Sequence, residues 1–189
     1  MRIFSLRDSE FEIRPIHHLE LEWAGVANQE LARQIGFQIQ FSQFFRHLLE
    51  NLQSAPVEHP DWQPVPLSLS LRAGAIRTFV LLTVSIAEAA LAALGEERGL
   101  GRKPNEIFDR TFGQLLNAWR HEGQPRPEIA EIWDNLQLLK DVRNYIHLPK
   151  AAGNDAAHWR EILAREQEIV AACEAVTDRL RDLSHVFRD

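Results

Sequence analysis

The chain has little cysteine, little lysine and no excess of positive charge. Its single cysteine, Cys173, excludes an internal disulfide and a cysteine-based zinc site. Of 21 basic residues, 18 are Arg and three are Lys. That bias suits planar, two-pronged contacts with anions, and the composition of a genome produces it too. The formal net charge is −6, from 27 acidic and 21 basic residues. An acidic chain attracts the phosphate backbone poorly, so any nucleic-acid role has to rest on a local site. There is no internal repeat and no low-complexity segment. Met1 to Pro15 is charged throughout and does not resemble a signal peptide. The most apolar run, Thr78 to Leu94, follows Arg77 and is interrupted by Glu88. It reads as a buried helix rather than a membrane span, and a cytoplasmic protein is expected. What is present is ordinary for a globular protein: 189 residues, 45% hydrophobic and 25% charged, enough for one domain with a proper core.

Hydrophobic spacing predicts an all-α architecture of four long or medium helices and one shorter. In residues 1–24, Ile3, Phe4 and Leu6 precede a polar turn, and Phe11, Ile13 and Ile16 then alternate with polar residues. This reads as a small hairpin that must lean on the helical body of residues 25–189 or on another subunit. The first helix runs from Asn28, a fitting N-cap, to Leu52, with Leu31, Ile35, Phe41, Phe44, Phe45 and Leu48 at three- and four-residue steps. Ser54 to Pro66 holds four prolines and reads as a stiff loop. Leu71 to Glu97 is apolar on most sides and therefore central, ended by Gly99, Gly101 and Pro104. Asn105 is placed to cap a short helix from Glu106 to Trp119. A fourth helix starts near Glu128 and continues to Leu148, which precedes Pro149 and so avoids helical geometry. The last spans Ala156 to Phe187; its apolar seam, broken once at Glu166, suits a long antiparallel neighbour or a partner subunit.

The end of the fourth helix carries the compact polar group of the chain. At about 100° per residue, Lys140, Arg143, Asn144 and His147 share one side, and Leu139, Val142 and Ile146 lie about a quarter turn away. Such a helix buries its apolar stripe and still gathers an Arg, an Asn and a His at the stripe's edge.

The Arg143-Asn144-x-x-His147 group, at the end of a helix in an all-α chain, resembles the signature of the HEPN superfamily (higher eukaryotes and prokaryotes nucleotide-binding domain). In that family an Arg, often followed by Asn, precedes a His by four to six intervening residues; here three intervene. Ser85 to Leu91 resembles the family's second helix, where a polar residue, here Glu88, faces the signature. Thr111 to Leu116 resembles the short helix that follows. Arg14 with His18 and Arg181 with His185 also match Arg-x-x-x-His, and Arg179 with His185 meets the usual spacing. Only Arg143 and His147 have the Asn and the helix-end setting before a proline.

The resemblance implies a HEPN-like helical bundle and metal-independent cleavage of RNA, with no cofactor and with the signatures of two subunits meeting in a homodimer. His147 is then the acid–base residue, Arg143 the phosphate clamp and Asn144 its support. Glu88 and Lys140 are supporting residues, Glu88 through a salt bridge to Arg143. Such proteins include toxins and defence effectors, some paired with an antitoxin that modifies a Tyr two residues past the His; Pro149 holds that position here. Other members bind nucleotides or serve as scaffolds without cleaving anything, which is the alternative reading.

Plainer readings stand beside these. Basic side chains at a helix end also complement the helix dipole. His17 and His18 are neighbours on what reads as a strand, which sends them to opposite faces and gives no metal pair. Cys173 falls on an apolar seam and reads as core. The five tryptophans are dispersed and make no stacking platform for single strands.

Overall fold

A computed structural model describes residues 2–6, 11–56, 65–66, 69–144 and 155–186. The element order is β1 (Arg2–Leu6), α1 (Ile16–Leu21), α2 (Gln29–Asn51), β2 (Leu52–Pro56), β3 (Val65–Pro66), α3 (Leu69–Glu97), α4 (Phe112–Ala118), β4 (Arg120–His121), β5 (Gln124–Pro125), α5 (Pro127–Ala130), α6 (Trp133–Asn144), α7 (Asp155–Ala164) and α8 (Glu166–Val186). The chain is mostly helical, as its periodicity predicts.

α3 is the axis of the fold. Ala73, Ile76, Val80, Val84, Ala87, Ala90, Leu91 and Leu94 are buried along its length, and α2, α4, α6, α7 and α8 all pack on it. By length and composition Leu71–Glu97 would pass for a membrane span, with a mean hydropathy of 1.9, but 67% of that window is buried by the other helices. Its end is closed by backbone geometry. Gly99 takes φ +66°, and the Leu100 N–H reaches back to the Gly95 carbonyl at 2.9 Å. That six-to-one bond with a left-handed glycine satisfies carbonyls the helix leaves open.

The other helix starts follow side-chain chemistry. Asn28 Oδ1 accepts the Leu31 N–H at 3.0 Å, capping α2 as its sequence suggests. The expected helix from Glu106 to Trp119 is instead a single 3-10 turn, Glu106–Asp109, followed by α4. Asn105 sits at φ +64° and makes no cap bond, while Gln114 accepts the Thr111 N–H at 2.9 Å, one half of a capping box. The fourth helix is likewise interrupted, with α5 and α6 separated at Glu131–Ile132; its expected end at Leu148 lies outside the described residues. The last helix divides at Arg165 into α7 and α8, beside the break in its seam at Glu166. The α8 seam (Ile169, Cys173, Val176, Leu180, Leu183) is covered within the chain by α3 and α6, so the long neighbour it suits is internal.

The amino-terminal hairpin is not formed as expected. β1 pairs antiparallel with β2, from Arg2 opposite Pro56 to Leu6 opposite Leu52, and β3 adds Val65 opposite Ser54. The stretch expected to be its partner runs extended along α2 and then becomes α1. Gln40 Nε2 donates to the Arg14 carbonyl at 2.6 Å, and the Phe11 ring lies 5.5 Å from that of Phe44. Alternation there records a segment pinned to a helix by side chains, not a ladder. Leu52, expected to end the first helix, begins β2 instead, and parts of the stiff loop, residues 54–56 and Val65–Pro66, continue β2 and form β3. A short hairpin does occur elsewhere: β4 and β5 meet through Glu122 (φ +51°) and Gly123 (φ +81°), the two positive dihedrals that a type I′ turn requires.

Leu19 and Trp23 are fully buried in the same core as α3, which docks α1 onto the body. The turn after α1 approaches the end of α8 closely enough that a Cβ on Gly25 would stand 1.2 Å from the Ser184 carbonyl oxygen. Backbone blocks that position, whereas a Cβ on Gly95 would meet side chains alone, the tip of Ile107 at 2.4 Å and Trp119 Nε1 at 3.4 Å. Gly25→Ala is therefore expected to cost about 2–3 kcal/mol as an overpacking change and to lower Tm by roughly 4–10 °C. Gly95→Ala is expected to lower it less, and thermal melts of the two variants check the order.

Candidate functional site

The site begins with two helices that each bury one stripe and keep a charged residue at its edge. On α6, Leu136 and Leu139 are fully buried and Val142 nearly so, which leaves Lys140, Arg143 and Asn144 half-buried beside them. On α3, Ala87 and Ala90 face the core and Glu88 sits at the rim. Packing α6 on α3 brings the two rims together. Arg143 Nη2 lies 3.1 Å from Glu88 Oε1, with the two side chains 30% and 29% exposed. Lys140 does not join the pair; its Nζ donates to Gln137 Oε1 at 2.5 Å on the same helix. Asn144 is the last described residue of α6, and His147 lies outside the described residues.

The competing Arg-x-x-x-His matches are occupied elsewhere. Arg14 is paired with Glu22. Arg179 grips the Glu128 carbonyl through Nε and Nη2 at 3.2 and 3.1 Å, tying α8 to α5. Arg181 pairs with Asp178 at 3.0 Å along its own helix. His17 and His18 lie on α1 rather than on a strand, with ring centroids 4.2 Å apart, so the opposite-face argument does not apply to them. Among the described residues no group of three or more His, Cys, Asp or Glu side chains is gathered to hold a metal ion.

No protein-family model, curated protein or solved structure matches this chain. The site's chemistry has to be read from its own geometry.

The setting of Arg143 is asymmetric. Beyond the far side of α6, about 140° around the helix by its 100° step, is a cavity of about 340 Å³. Asp134, Asp141, Glu161 and Glu168 line its edge over an apolar floor that includes Leu138 and Ile162. Arg165, also at that edge, is committed to Glu168 by two 2.8 Å bonds. Anions are therefore disfavoured on that side of α6.

Reading the sequence also missed cations that hold the frame. Arg72 on α3 holds Glu166, the first residue of α8, through two bonds of 2.8 and 2.5 Å. Arg77 on α3 lies 4.7 Å from the centre of the Trp159 ring of α7, and Arg120 lies 5.0 Å from that of Trp133. Trp119 is core, its Nε1 donating to the Leu91 carbonyl at 3.0 Å, and Trp62 is outside the described residues. The skipped seam position at Glu166 was the available signal for the first of these.

Cys173 is buried against Thr83 and Arg46, and burial pushes its thiol up to about 12. A thiol that stays protonated and covered is no nucleophile at neutral pH. It is expected to resist a disulfide reagent at pH 8 in the native protein and to react fully once urea unfolds the chain. Glu88→Gln, which removes a third-exposed ion pair, is expected to change the free energy of unfolding by less than about 1 kcal/mol. Urea titration checks that value, and a larger loss would assign the pair a structural role.

Proposed function

We propose that this chain is a HEPN-like ribonuclease that cleaves RNA without a metal ion, in the cytoplasm, as a toxin or defence effector. The observation that supports the reading is the Glu88–Arg143 contact. A guanidinium in the last described turn of α6 is held by a carboxylate on the central helix, at a half-open edge where a phosphate can reach it. In this reading Arg143 clamps the scissile phosphate by paired hydrogen bonds and stabilises charge on the pentavalent transition state. His147, three residues past Asn144, takes the proton from the ribose 2′-hydroxyl. The 2′-oxygen attacks phosphorus and the bond to the 5′-oxygen breaks. That oxygen leaves as a 5′-hydroxyl, its proton coming from water or from the His147 imidazolium, which either way ends neutral again, and the other product is a 2′,3′-cyclic phosphate. Asn144 orients the phosphate or the imidazole, Glu88 positions Arg143, and Lys140 adds positive charge nearby. A homodimer that faces two such clusters across a cleft, and an antitoxin that covers them, belong to the same proposal.

A second reading is a nucleotide-binding or scaffold protein of the same fold. It is favoured by the carboxylate already neutralising Arg143 and by a net charge of −6, both of which weaken capture of a polyanion.

RNA cleavage in the presence of EDTA separates them. The wild-type chain is expected to cut, and His147→Ala and Arg143→Ala are expected to slow cleavage by roughly 100-fold or more while circular dichroism stays unchanged. Undiminished cutting by His147→Ala would eliminate the catalytic reading. No cutting, with heat released on titrating nucleotides into the wild type but not into Arg143→Ala, would establish the second.

A further inference from the structure

Among the described residues, the outward face of α2 is covered only along one edge, where the extended segment lays Phe11 beside Phe44. Phe37, Phe41 and Phe44 are 42%, 50% and 38% exposed, and Leu48 continues their row half-buried. The core-facing residues of the same helix, such as Ala32, Ile35 and Ile39, lie on the opposite side. Ile13, 65% exposed on the segment beside α2, widens the patch. Isolated exposed apolar residues need no explanation, but a contiguous row of phenylalanines does.

We infer that this face is a self-association surface, on which a second copy of the chain seats its own α2 antiparallel. Three features point to that occupant. The first is spacing: Phe37, Phe41, Phe44 and Leu48 follow steps of four, three and four, the heptad seam by which helices interlock. That order reads the same from either end. A two-fold axis then sets Phe37 against Leu48 and Phe41 against Phe44 in both copies, as an isologous contact demands.

The second is charge. Between Glu30 and Glu50, α2 has no carboxylate, and Gln38 and Gln40 flank the seam. Arg33 leans over the Phe37 ring at 5.8 Å. Two copies therefore meet without like-charge repulsion, and a strongly charged partner finds little to pair with.

The third is area. Taking about 200 Å² for each large apolar side chain, the three phenylalanines and Ile13 expose roughly 400 Å². That is about half of the ~800 Å² each partner brings to a stable interface, and so suffices for its apolar centre.

The surface lies across α2 from α3, away from the Glu88–Arg143 pair, so it is a different contact from the homodimer of the ribonuclease reading, and the inference does not rest on that reading. Analytical ultracentrifugation of the wild-type chain and of Phe41→Arg tests it, with thermal melts of each as the folding control. The wild type is expected to form dimers at micromolar concentration, and Phe41→Arg to weaken them by roughly 100-fold with little change in the melt of the dilute protein. Phe37→Ser, at one end of the row and 42% exposed, serves as a milder second variant with the same expected direction. A wild type that stays monomeric at high micromolar concentration would overturn the inference, as would a dimer that neither variant weakens. So would a monomer that instead binds neutral phosphatidylcholine vesicles through this face.

Discussion

A helix as apolar as α3 has to be covered on nearly every side, and the rest of the chain is arranged to do that. Each large side chain it removes from water contributes about 1.5–3 kcal/mol, so the packing of α2, α6, α7 and α8 around it is the main source of stability. The same burial limits where polar groups can sit. α3 carries one carboxylate between Arg77 and Glu96, and that carboxylate emerges at the rim where α6 crosses. Glu88 there meets Arg143. The position of the candidate site thus follows from the way α6 covers the central helix.

Helical periodicity was legible because it is a local property. The apolar breadth of Thr78 to Leu94 and the α8 seam each state a buried face outright, whereas in α2 the expected series is mixed: Ile35 is buried, but Phe41 and Phe44 are 50% and 38% exposed because the core-facing stripe runs through Ala32, Ile35 and Ile39. Breaks were less legible where two signals compete. Asn105 and Thr111 are both acceptable N-caps, and which one starts the helix depends on whether Gln114 folds back, as it does. At Arg165 the seam's skipped position marked the division of α7 from α8, but continuing the helix was equally compatible with composition. The strand pairing was not legible. β1 and β2 are separated by α1 and α2, and no residue in either announces a partner that distant. Phe11, Ile13 and Ile16 misled because alternation shows only that one side of an extended segment is apolar. It does not tell a strand beside it from a helix.

The polar group at the end of α6 was legible in part for the same reason. Face-sharing of Lys140, Arg143 and Asn144 follows from helical spacing, whereas partners come from tertiary packing. Lys140 shares the face and yet bonds Gln137 on its own helix. The clamps that fix the frame, Arg72 on Glu166 and Arg179 on the Glu128 carbonyl, join residues far apart in the chain and leave no trace in local pattern. An arginine-rich, lysine-poor composition is consistent with such clamps, since a planar fork makes two bonds where an ammonium makes one contact.

The degree of exposure of the Glu88–Arg143 pair bears on what it can do. Breaking a fully buried ion pair by withdrawing one partner costs about 3–5 kcal/mol, because the charge left behind has no solvent. At near 30% exposure for both side chains, water reaches the pair and its net worth falls to about 1 kcal/mol or less. A contact that weak still limits how freely the Arg143 side chain moves at the edge of α6. In the ribonuclease reading the carboxylate gives way to a phosphate, which accepts paired N–H bonds from the guanidinium. In that reading the carboxylate also lowers the non-specific attraction of Arg143 for polyanions, so that a ligand has to fit the edge of α6 to displace it. The acidic cavity on the other side of the same helix acts in the same sense, disfavouring anions there.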